Sequence, residues 1–447
     1  MKRTLTFIIF LSMLLFYGCT AAKETLTLDI TKENDTSKTT QPRYPVVVKW
    51  EEDIEYLREE LPKRHKNLFF KLTKEEFNTM LDELINDLPS LQENHFRIRI
   101  AEIIASVGDT HTYYGGLEKI NTNNLYPLLT YWFKDGLYVI SADRAYGQYL
   151  GCKLLKINGK SIEDIITDIN TLISHENEAQ LKLKNPYLII NPTVLEYFNV
   201  IEKGKKPVFS LEKPDKTVVT VEIGEKYFQS MNMVSLMDGL KEKPLYLQKD
   251  DWFWFTYVPE DKLLYVQYNR CWDKNLEKRM RNNYNRSVDA LPDFEVFSED
   301  LLDAVEKNEI DKLVFDMRNN PGGNSQLGHD LIRKLSKIDK VNKKGKLFVI
   351  VGRTTFSSAT LNTLDFANYT NAVFYGEPTS GKPNHYGEVK ELTLPNSNIY
   401  IGYSTKYFEY YHKDIDSFIP DFIIEPTYEE WSRGIDPVLE AIKSYEN

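Results

Sequence analysis

The chain has 447 residues, more than one ordinary domain needs, so its length predicts two or three folded units. Hydrophobic residues make up 42% of the sequence and aromatic residues 13%, which excludes disorder of the whole chain. The formal net charge is -10, and basic residues are interspersed with acidic ones instead of forming a stripe. This charge pattern excludes a nucleic-acid-binding surface.

The N-terminus has the features of an export signal. Lys2 and Arg3 precede an apolar run, residues 7–17, that is too short for an ordinary membrane span. The run closes with a small residue directly before Cys19, which resembles a bacterial lipobox, although two aromatic residues stand where Leu and a small residue are commoner. We therefore predict a lipoprotein signal peptide over residues 1–18 and lipid attachment at Cys19. An uncleaved anchor and a plain secretory signal are the alternatives.

Residues 19–45 are rich in Thr, Lys, Asp and Asn and predict a flexible tether, which would place the folded part on the extracytoplasmic face of the cell membrane. The next segment, 46–125, predicts an N-terminal helical subdomain. Its apolar residues recur three and four positions apart in Ile54–Leu61, Phe77–Leu88 and Phe96–Ile104. A polar loop, Asp109–Gly116, then interrupts the helical pattern.

A β-rich module is predicted over residues 126–225. An apolar strand, 150–157, runs into Asn158-Gly159, a dipeptide typical of tight turns between strands. This strand and turn resemble those of PDZ-type modules, and a helical stretch, Ile162–Ile173, follows them. The resemblance implies a PDZ-like module, and an ordinary β-hairpin is the alternative interpretation.

From residue 226 to residue 447, short apolar runs alternate with helical stretches. The apolar runs have the length and composition of buried strands and comprise Leu263–Tyr268, Leu313–Phe315, Leu347–Val351 and Ala372–Tyr375. The helical stretches between them are Glu299–Glu306, Gln326–Leu335 and Ala359–Ala367. This alternation predicts an α/β core with a mostly parallel sheet.

The sequence contains no pattern for a metal site or a cofactor site. Apart from Cys19, the cysteines are Cys152 and Cys271, which favour two buried thiols, with a single disulfide as the alternative. Cys and His residues have neither CxxC nor HExxH spacing, and no GxGxxG or GxxxxGK[ST] segment is present. We therefore expect neither a bound metal nor a nucleotide cofactor.

Two turns between a strand and a helix hold the candidate catalytic residues. The segment 316–324 contains Gly322 and Gly323, and the exposed N–H groups of such a turn suit an oxyanion. Ser357 and Ser358 begin a helix after a second turn, where a nucleophile's hydroxyl would lie in the positive field of the helix N-terminus. A serine at this position is more often a helix N-cap, so its position alone does not decide its role.

The order of these motifs resembles the tail-specific (carboxyl-terminal processing) serine proteases, peptidase family S41. That family carries a D-x-R-x-N-x-G-G segment, a serine at a strand-to-helix turn and a G-x-x-T-x-G-K block, and this chain has residues 316–323, Ser357 and residues 376–382. The interval from Ser357 to Lys382 is the one used by the Ser/Lys members. The resemblance implies a crotonase-like (ClpP-like) α/β core, a PDZ-like module, and hydrolysis of peptide bonds in proteins or peptides outside the cytoplasm.

The resemblance assigns Ser357 as the nucleophile, with Ser358 as the alternative serine. If Ser357 is the nucleophile, Ser358 donates its backbone N–H to the oxyanion hole beside Gly322 or Gly323. Family members often carry a glutamate three residues after the nucleophile, whereas Thr360 stands here. This departure leaves room for a catalytically inactive lipoprotein of the same fold that binds peptides. An acyl-CoA enzyme that shares only the crotonase-type fold and oxyanion hole is a further alternative.

The general base has two main candidates. Residues 108–112 resemble the G-D-G-H-T motif of the tricorn-like branch, apart from Thr110, and this favours His111, because an imidazole titrates near neutral pH. Lys382 is the base if the chain follows the Ser/Lys branch, which requires a buried, neutral amine. His385 has the weakest claim.

The tricorn-like branch also implies a carboxylate that orients the histidine. In that branch an acid lies some six residues before a Pro-Asp pair late in the core. Residues 420–421 form such a pair, which points to Asp414, with Asp416 as the alternative. The favoured set is therefore a Ser/His/Asp triad.

Overall fold

The computed structural model describes residues 44–116, 124–280 and 288–446. The predicted signal peptide, 1–18, its lipid-attachment residue Cys19 and most of the predicted tether, 19–45, lie outside the described residues. Within the described ranges, every helix is too short or too polar to span a lipid bilayer.

The predicted mixture of helices and sheets is confirmed. The α-helices of the described chain are α1 (Tyr44–Arg64), α2 (Lys74–Asp87), α3 (Glu93–Ser106), α4 (Ile162–Ile169), α5 (Glu178–Leu188), α6 (Pro192–Tyr197), α7 (Lys274–Met280), α8 (Phe294–Lys307), α9 (Ser325–Leu335), α10 (Ser358–Tyr369), α11 (Tyr428–Ser432) and α12 (Pro437–Lys443). The strands are β1 (Tyr113–Gly115), β2 (Asn124–Leu125), β3 (Leu128–Phe133), β4 (Gly136–Asp143), β5 (Lys153–Ile157), β6 (Lys160–Ser161), β7 (Val208–Glu212), β8 (Val218–Glu222), β9 (Lys226–Tyr227), β10 (Met233–Ser235), β11 (Phe253–Val258), β12 (Leu263–Tyr268), β13 (Lys312–Asp316), β14 (Leu347–Val351), β15 (Val373–Gly376), β16 (His385–Thr393), β17 (Tyr400–Phe408) and β18 (Phe422–Ile423).

The N-terminal helices share one hydrophobic core with the β-rich module. Their apolar spacing buries one face of each helix, and Leu57, Phe77 and Ile104 are fully inaccessible to solvent. The β16–β17 hairpin, from late in the chain, contributes Leu392 and Ile401 to the same core. Because β1 also pairs with β17, the N-terminal core is completed by residues from the C-terminal half of the chain.

The strands of the predicted module, 126–225, form an antiparallel sheet in the order β10-β4-β5-β7-β8, with β3 on β4 and β6 on β5. Asn158 and Gly159 connect β5 to β6 with φ of 48° and 82°, as a tight turn between two strands requires. The helix α4 follows immediately and is capped by the Ser161 side chain. Strand β10 lies beyond residue 225 and extends the sheet at the edge of β4.

The C-terminal part is built on a six-stranded sheet in the order β11-β12-β13-β14-β15-β18. The other five strands of this sheet run parallel to one another, and β11 is an antiparallel edge strand, so the predicted mostly parallel sheet is present. The carboxyl ends of parallel strands meet at one edge of a sheet. The turns that follow β13 and β14 therefore lie side by side, and these are the two turns with the predicted catalytic residues.

Candidate active site

Ser357 occupies the turn between β14 and α10 in a strained backbone conformation. Its φ of 53° and ψ of -123° lie outside the regions that ordinary residues favour. The side chain makes no capping hydrogen bond to α10 within the described chain, so the bond typical of an N-cap serine is missing. Ser358 differs, because it is buried and its hydroxyl donates a hydrogen bond of 2.7 Å to the Gly323 carbonyl. Ser357, which is partly exposed, is therefore the more accessible of the two serines.

The Gly322 backbone packs directly against the Ser357 turn. A Cβ atom at Gly322 would lie 2.9 Å from the Ser357 Cβ and 3.0 Å from the Ser358 nitrogen, and its φ of 102° also favours glycine. The Gly322 N–H donates to Asn320 Oδ1 at 2.9 Å. Since that N–H is occupied, the N–H groups of Gly323 and Ser358 are the remaining candidates for an oxyanion hole.

The acidic and basic residues of the segment 316–324 hold the turn in place. Arg318 donates to Asp316 Oδ2 at 2.9 Å and binds both carboxylate oxygens of Asp436 at 3.0 and 2.8 Å. Asp436 caps α12, so a paired, buried guanidinium fixes the turn to the C-terminal helix. These ion pairs join the turn to α12, so the residues position the candidate site.

The His111 ring is buried between two other rings. It stacks on Phe356, with ring centroids 4.4 Å apart, and on His385, with centroids 5.0 Å apart. Both His111 ring nitrogens lack a hydrogen-bond partner among the described residues. Burial, together with the neighbouring His385, lowers the pKa of His111 to about 3, although Asp109 opposes this. The imidazole is therefore neutral at pH 7 and keeps one unprotonated nitrogen.

His385 has a fixed ring orientation. Its Nδ1 lies 2.8 Å from the Lys382 carbonyl oxygen. A carbonyl oxygen accepts hydrogen bonds and cannot donate them, so Nδ1 carries the proton of the neutral ring. Burial lowers the pKa of His385 below its ordinary value. The site thus contains two neutral, stacked imidazoles, and His385 presents an unprotonated Nε2.

Asp109 holds the backbone of the His111 loop. Its Oδ1 accepts from the His111 N–H at 2.9 Å, and its Oδ2 accepts from Thr112 and Ser404 hydroxyls at 2.6 Å each. The His65 Nε2 lies 3.1 Å from the same oxygen. Burial raises the pKa of Asp109, but these hydrogen bonds more than offset it and hold that pKa below its ordinary value. The carboxylate therefore fixes the loop and leaves the His111 ring nitrogens unbound.

Lys382 is bound to two carboxylates. Its Nζ lies 2.9 Å from Asp414 Oδ1 and 3.1 Å from Asp416 Oδ1. Burial lowers the pKa of Lys382, but the two carboxylates outweigh it and raise that pKa above its ordinary value. The preceding residue, Gly381, does approach Ser357, since a Cβ there would lie 3.1 Å from the Ser357 nitrogen. The structure thus places a protonated lysine near the site and pairs Asp414 with this lysine, away from His111.

Glu176 is a site residue that the sequence analysis did not single out. Its Oε2 accepts a hydrogen bond of 3.0 Å from the Thr110 hydroxyl, next to His111. Burial and the charge of Asp109 raise the pKa of Glu176 to about 7. The next residue, Asn177, donates from Nδ2 to the Ser380 carbonyl at 3.0 Å. This segment therefore bridges the His111 loop and the Lys382 loop, and no local sequence pattern marks it.

Two solved structures of CPAF share this fold. Mature CPAF matches with a TM-score of 0.61 at 12% identity, over 89% of this chain and 97% of that chain. CPAF complexed with lactacystin matches with a TM-score of 0.60 at 12% identity, over 89% of this chain and 98% of that chain. The photosystem II D1 C-terminal processing protease also matches, with a TM-score of 0.38 at 13% identity, over 88% of this chain and 98% of that chain.

No family model and no curated protein matches the sequence. The likeness to CPAF shows the fold, and CPAF is a member of peptidase family S41. The resemblance to the tail-specific proteases that the motifs indicated is therefore confirmed at the level of the fold. The assignment to the tricorn-like branch stays a prediction.

Proposed function

We propose that this chain, which has the fold of the S41 proteases, is a serine endopeptidase that cleaves proteins or peptides outside the cytoplasm. The observation that carries the proposal is the Ser357 turn, with its strained φ of 53° and the Gly322 backbone packed against it. Such a turn presents a hydroxyl to a carbonyl carbon, while neighbouring N–H groups stabilise the oxyanion. The parallel sheet would then be a crotonase-like core and the antiparallel sheet a PDZ-like module.

In the proposed reaction, His111 accepts the Ser357 hydroxyl proton as the serine oxygen adds to the substrate carbonyl carbon. The resulting oxyanion is bound by the N–H groups of Gly323 and Ser358. The tetrahedral intermediate collapses to an acyl-enzyme as the protonated imidazole gives its proton to the leaving amine, and water then hydrolyses the ester by the same route. Hydrogen bonds between catalytic groups are often long in free enzymes and tighten when substrate binds.

His111 is favoured as the base over Lys382 for an electrostatic reason. A general base must be unprotonated, and burial keeps the His111 ring neutral. Lys382 is an ammonium ion bound by Asp414 and Asp416, so it would first have to lose both partners and a proton. For Asp414 to orient the imidazole, it would have to exchange Lys382 for His111 when substrate binds.

A catalytically inactive peptide-binding lipoprotein of the same fold is the second candidate. The observation that favours it is the His111 ring, which has no hydrogen-bond partner at either nitrogen within the described ranges. A serine peptidase normally has its base bonded to an orienting group. The two candidates differ in whether the Ser357 hydroxyl is activated.

Labelling with a fluorophosphonate reagent separates the two candidates. We expect one serine to be modified, and the labelled peptide found by mass spectrometry to contain Ser357. Hydrolysis of unfolded casein by the same preparation should disappear as labelling proceeds. A protein that is neither labelled nor active on casein, yet binds peptides, would support the inactive lipoprotein.

Replacement of Gly322 by alanine should disable the site. The added methyl group would lie 2.8 Å from the Phe356 carbonyl oxygen and 2.9 Å from the Ser357 Cβ, at a φ of 102° that disfavours alanine. Displacing catalytic groups by about 1 Å costs on the order of a hundredfold in rate. We therefore expect kcat/KM to fall by at least about a hundredfold, measured with a fluorogenic peptide.

Gly239→Ala is the matched control for this change, because a Cβ atom at Gly239 meets no atom within 4 Å. We expect Gly239→Ala to keep the activity and thermal stability of the unaltered protein. Full activity in Gly322→Ala would contradict the assignment of this turn to the catalytic site.

Membrane attachment is expected to depend on Cys19, which lies outside the described residues. The apolar run before it is short, so a lipid must supply the membrane affinity, at about 0.8 kcal/mol for each buried methylene. In Cys19→Ser, we expect the protein to lose incorporation of labelled fatty acid and to move from the membrane fraction to the soluble one. Unchanged labelling and unchanged fractionation would contradict the lipoprotein prediction.

A further inference from the structure

A cavity of about 130 Å³ lies beside the two catalytic turns. Its wall includes Phe356 and Pro321, which directly precede Ser357 and Gly322 in the chain, and also His111. The rest of the wall includes the apolar or aromatic side chains of Leu172, Ile173, Leu183 and Tyr187. The cavity therefore begins at the reacting groups and extends into an apolar part of the N-terminal core.

We infer that this cavity binds the side chain that precedes the scissile bond, and that it accepts one large apolar side chain such as Leu, Met or Phe. This inference rests on the proposed endopeptidase function and specifies its substrate class. The side chain before the scissile bond is attached to the Cα atom that is bonded directly to the attacked carbonyl carbon. Since the carbonyl must lie between Ser357 and the N–H groups of Gly323 and Ser358, that side chain starts where Phe356 and Pro321 line the cavity.

The volume and lining of the cavity set the class of side chain. An apolar cavity of about 150 Å³ accepts a benzene ring, so a cavity of about 130 Å³ fits a phenyl or isobutyl group. The polar groups of the wall include Gln180 and the cationic side chain of Lys184. An acidic side chain is therefore the competing occupant, and it would be selected by Lys184.

Two positions allow the size of the cavity to be changed in opposite directions. Ser174 is a small, buried residue of the wall, and a phenyl group in its place would occupy the cavity. Leu183 lines both this cavity and a second cavity of about 100 Å³, so it is part of the wall that separates them. Truncation of Leu183 should enlarge the binding space.

The test compares peptides that differ only in the residue before the scissile bond. For the unaltered protein, we expect kcat/KM to be about 10- to 200-fold higher with Leu than with Ala, which is the range for small changes in apolar pockets. Ser174→Phe should lower kcat/KM for the Leu peptide at least about tenfold and leave the Ala peptide within about threefold. The matched control is Ser230→Phe, which places the same phenyl group at an exposed serine outside the cavity wall, and it should behave as the unaltered protein does. Leu183→Ala should improve cleavage after Trp relative to Leu.

Cleavage sites in a peptide library, identified by mass spectrometry, provide an independent readout. We expect Leu, Met and Phe to be enriched directly before the cut. Enrichment of Asp and Glu there, enrichment of large apolar residues only after the cut, or no preference would overturn the inference. If Ser357 is labelled by fluorophosphonate in such a case, the endopeptidase function stands and only the role of the cavity is wrong. If the protein is neither labelled nor active, both proposals are overturned.

Discussion

Ser357→Ala is expected to abolish peptide hydrolysis and to leave the fold intact. In the described structure the Ser357 hydroxyl makes no capping hydrogen bond to α10, so removing the hydroxyl does not uncap that helix. Removing the nucleophile of a serine peptidase lowers kcat by about six orders of magnitude. The measurement is kcat with a fluorogenic peptide, together with circular dichroism and the midpoint of thermal unfolding, which should not fall.

Ser358→Ala provides the control for this assignment. The Ser358 hydroxyl donates to the Gly323 carbonyl at 2.7 Å, so its loss should disturb the oxyanion turn and reduce kcat by a much smaller factor. A neutral hydrogen bond of this kind contributes about 0.5–1.5 kcal/mol, which corresponds to about tenfold or less in rate. The reverse ranking, with Ser357→Ala active and Ser358→Ala inactive, would move the nucleophile to Ser358.

His111→Ala should cause the second largest loss, on the order of 10⁴-fold or more in kcat. Lys382→Ala should cost much less, because Lys382 is already protonated and paired with Asp414 and Asp416. Asp414→Asn should impair peptide hydrolysis only while His111 is present, if Asp414 orients the imidazole in the substrate complex. An active His111→Ala together with an inactive Lys382→Ala would place the enzyme in the Ser/Lys branch and leave Asp414 without a catalytic role.

The pH dependence of kcat/KM provides an independent test of whether His111 or Lys382 is the base. Burial lowers the pKa of His111 to about 3, so the base is already unprotonated at pH 5, and kcat/KM should stay near its plateau well below pH 6.5. A lysine base whose pKa is raised by Asp414 and Asp416 would instead give an activity that still rises above the ordinary lysine pKa of about 10.4. Because burial raises the pKa of Glu176 to about 7 beside the His111 loop, the profile should also be measured in Glu176→Gln to remove its contribution.

The lowered pKa of His111 should also make folding stability depend on pH. Because the folded-state pKa lies below the unfolded value of about 6.5, the unfolded chain binds more protons at acidic pH. The contribution of His111 to stability is therefore fully present above pH 6.5 and decreases as pH falls toward 3. The free energy of unfolding, measured with urea, should decrease between pH 7 and pH 4.5 in both proteins. We expect this decrease to be smaller in His111→Ala than in the unaltered protein.

Local sequence was sufficient to predict most elements of the fold. The apolar run Leu347–Val351 is a strand with those limits, and Asn158-Gly159 forms the predicted turn with positive φ at both residues. The predicted strands Leu263–Tyr268 and Leu313–Phe315 lie in the parallel sheet. These features follow from hydrophobic periodicity and turn chemistry, which act over a few neighbouring residues. For the same reason, the sequence alone placed Ser357 at a strand-to-helix turn. The S41 protease fold was indicated by the resemblance of the motifs to that family.

Only the tertiary structure decided which charged and polar groups meet at the site. Ser404 reaches Asp109 because the β16–β17 hairpin folds back onto the N-terminal helices, and Glu176 reaches Thr110 from the segment before α5. Lys382 is bound to Asp414, whereas the His111 ring nitrogens have no partner in the described chain. Protonation depends on burial and on charges brought close by distant segments, and neither quantity is encoded in local spacing. The sequence therefore determined the turns that carry the candidate residues, and the packing of remote segments determined their charge and orientation.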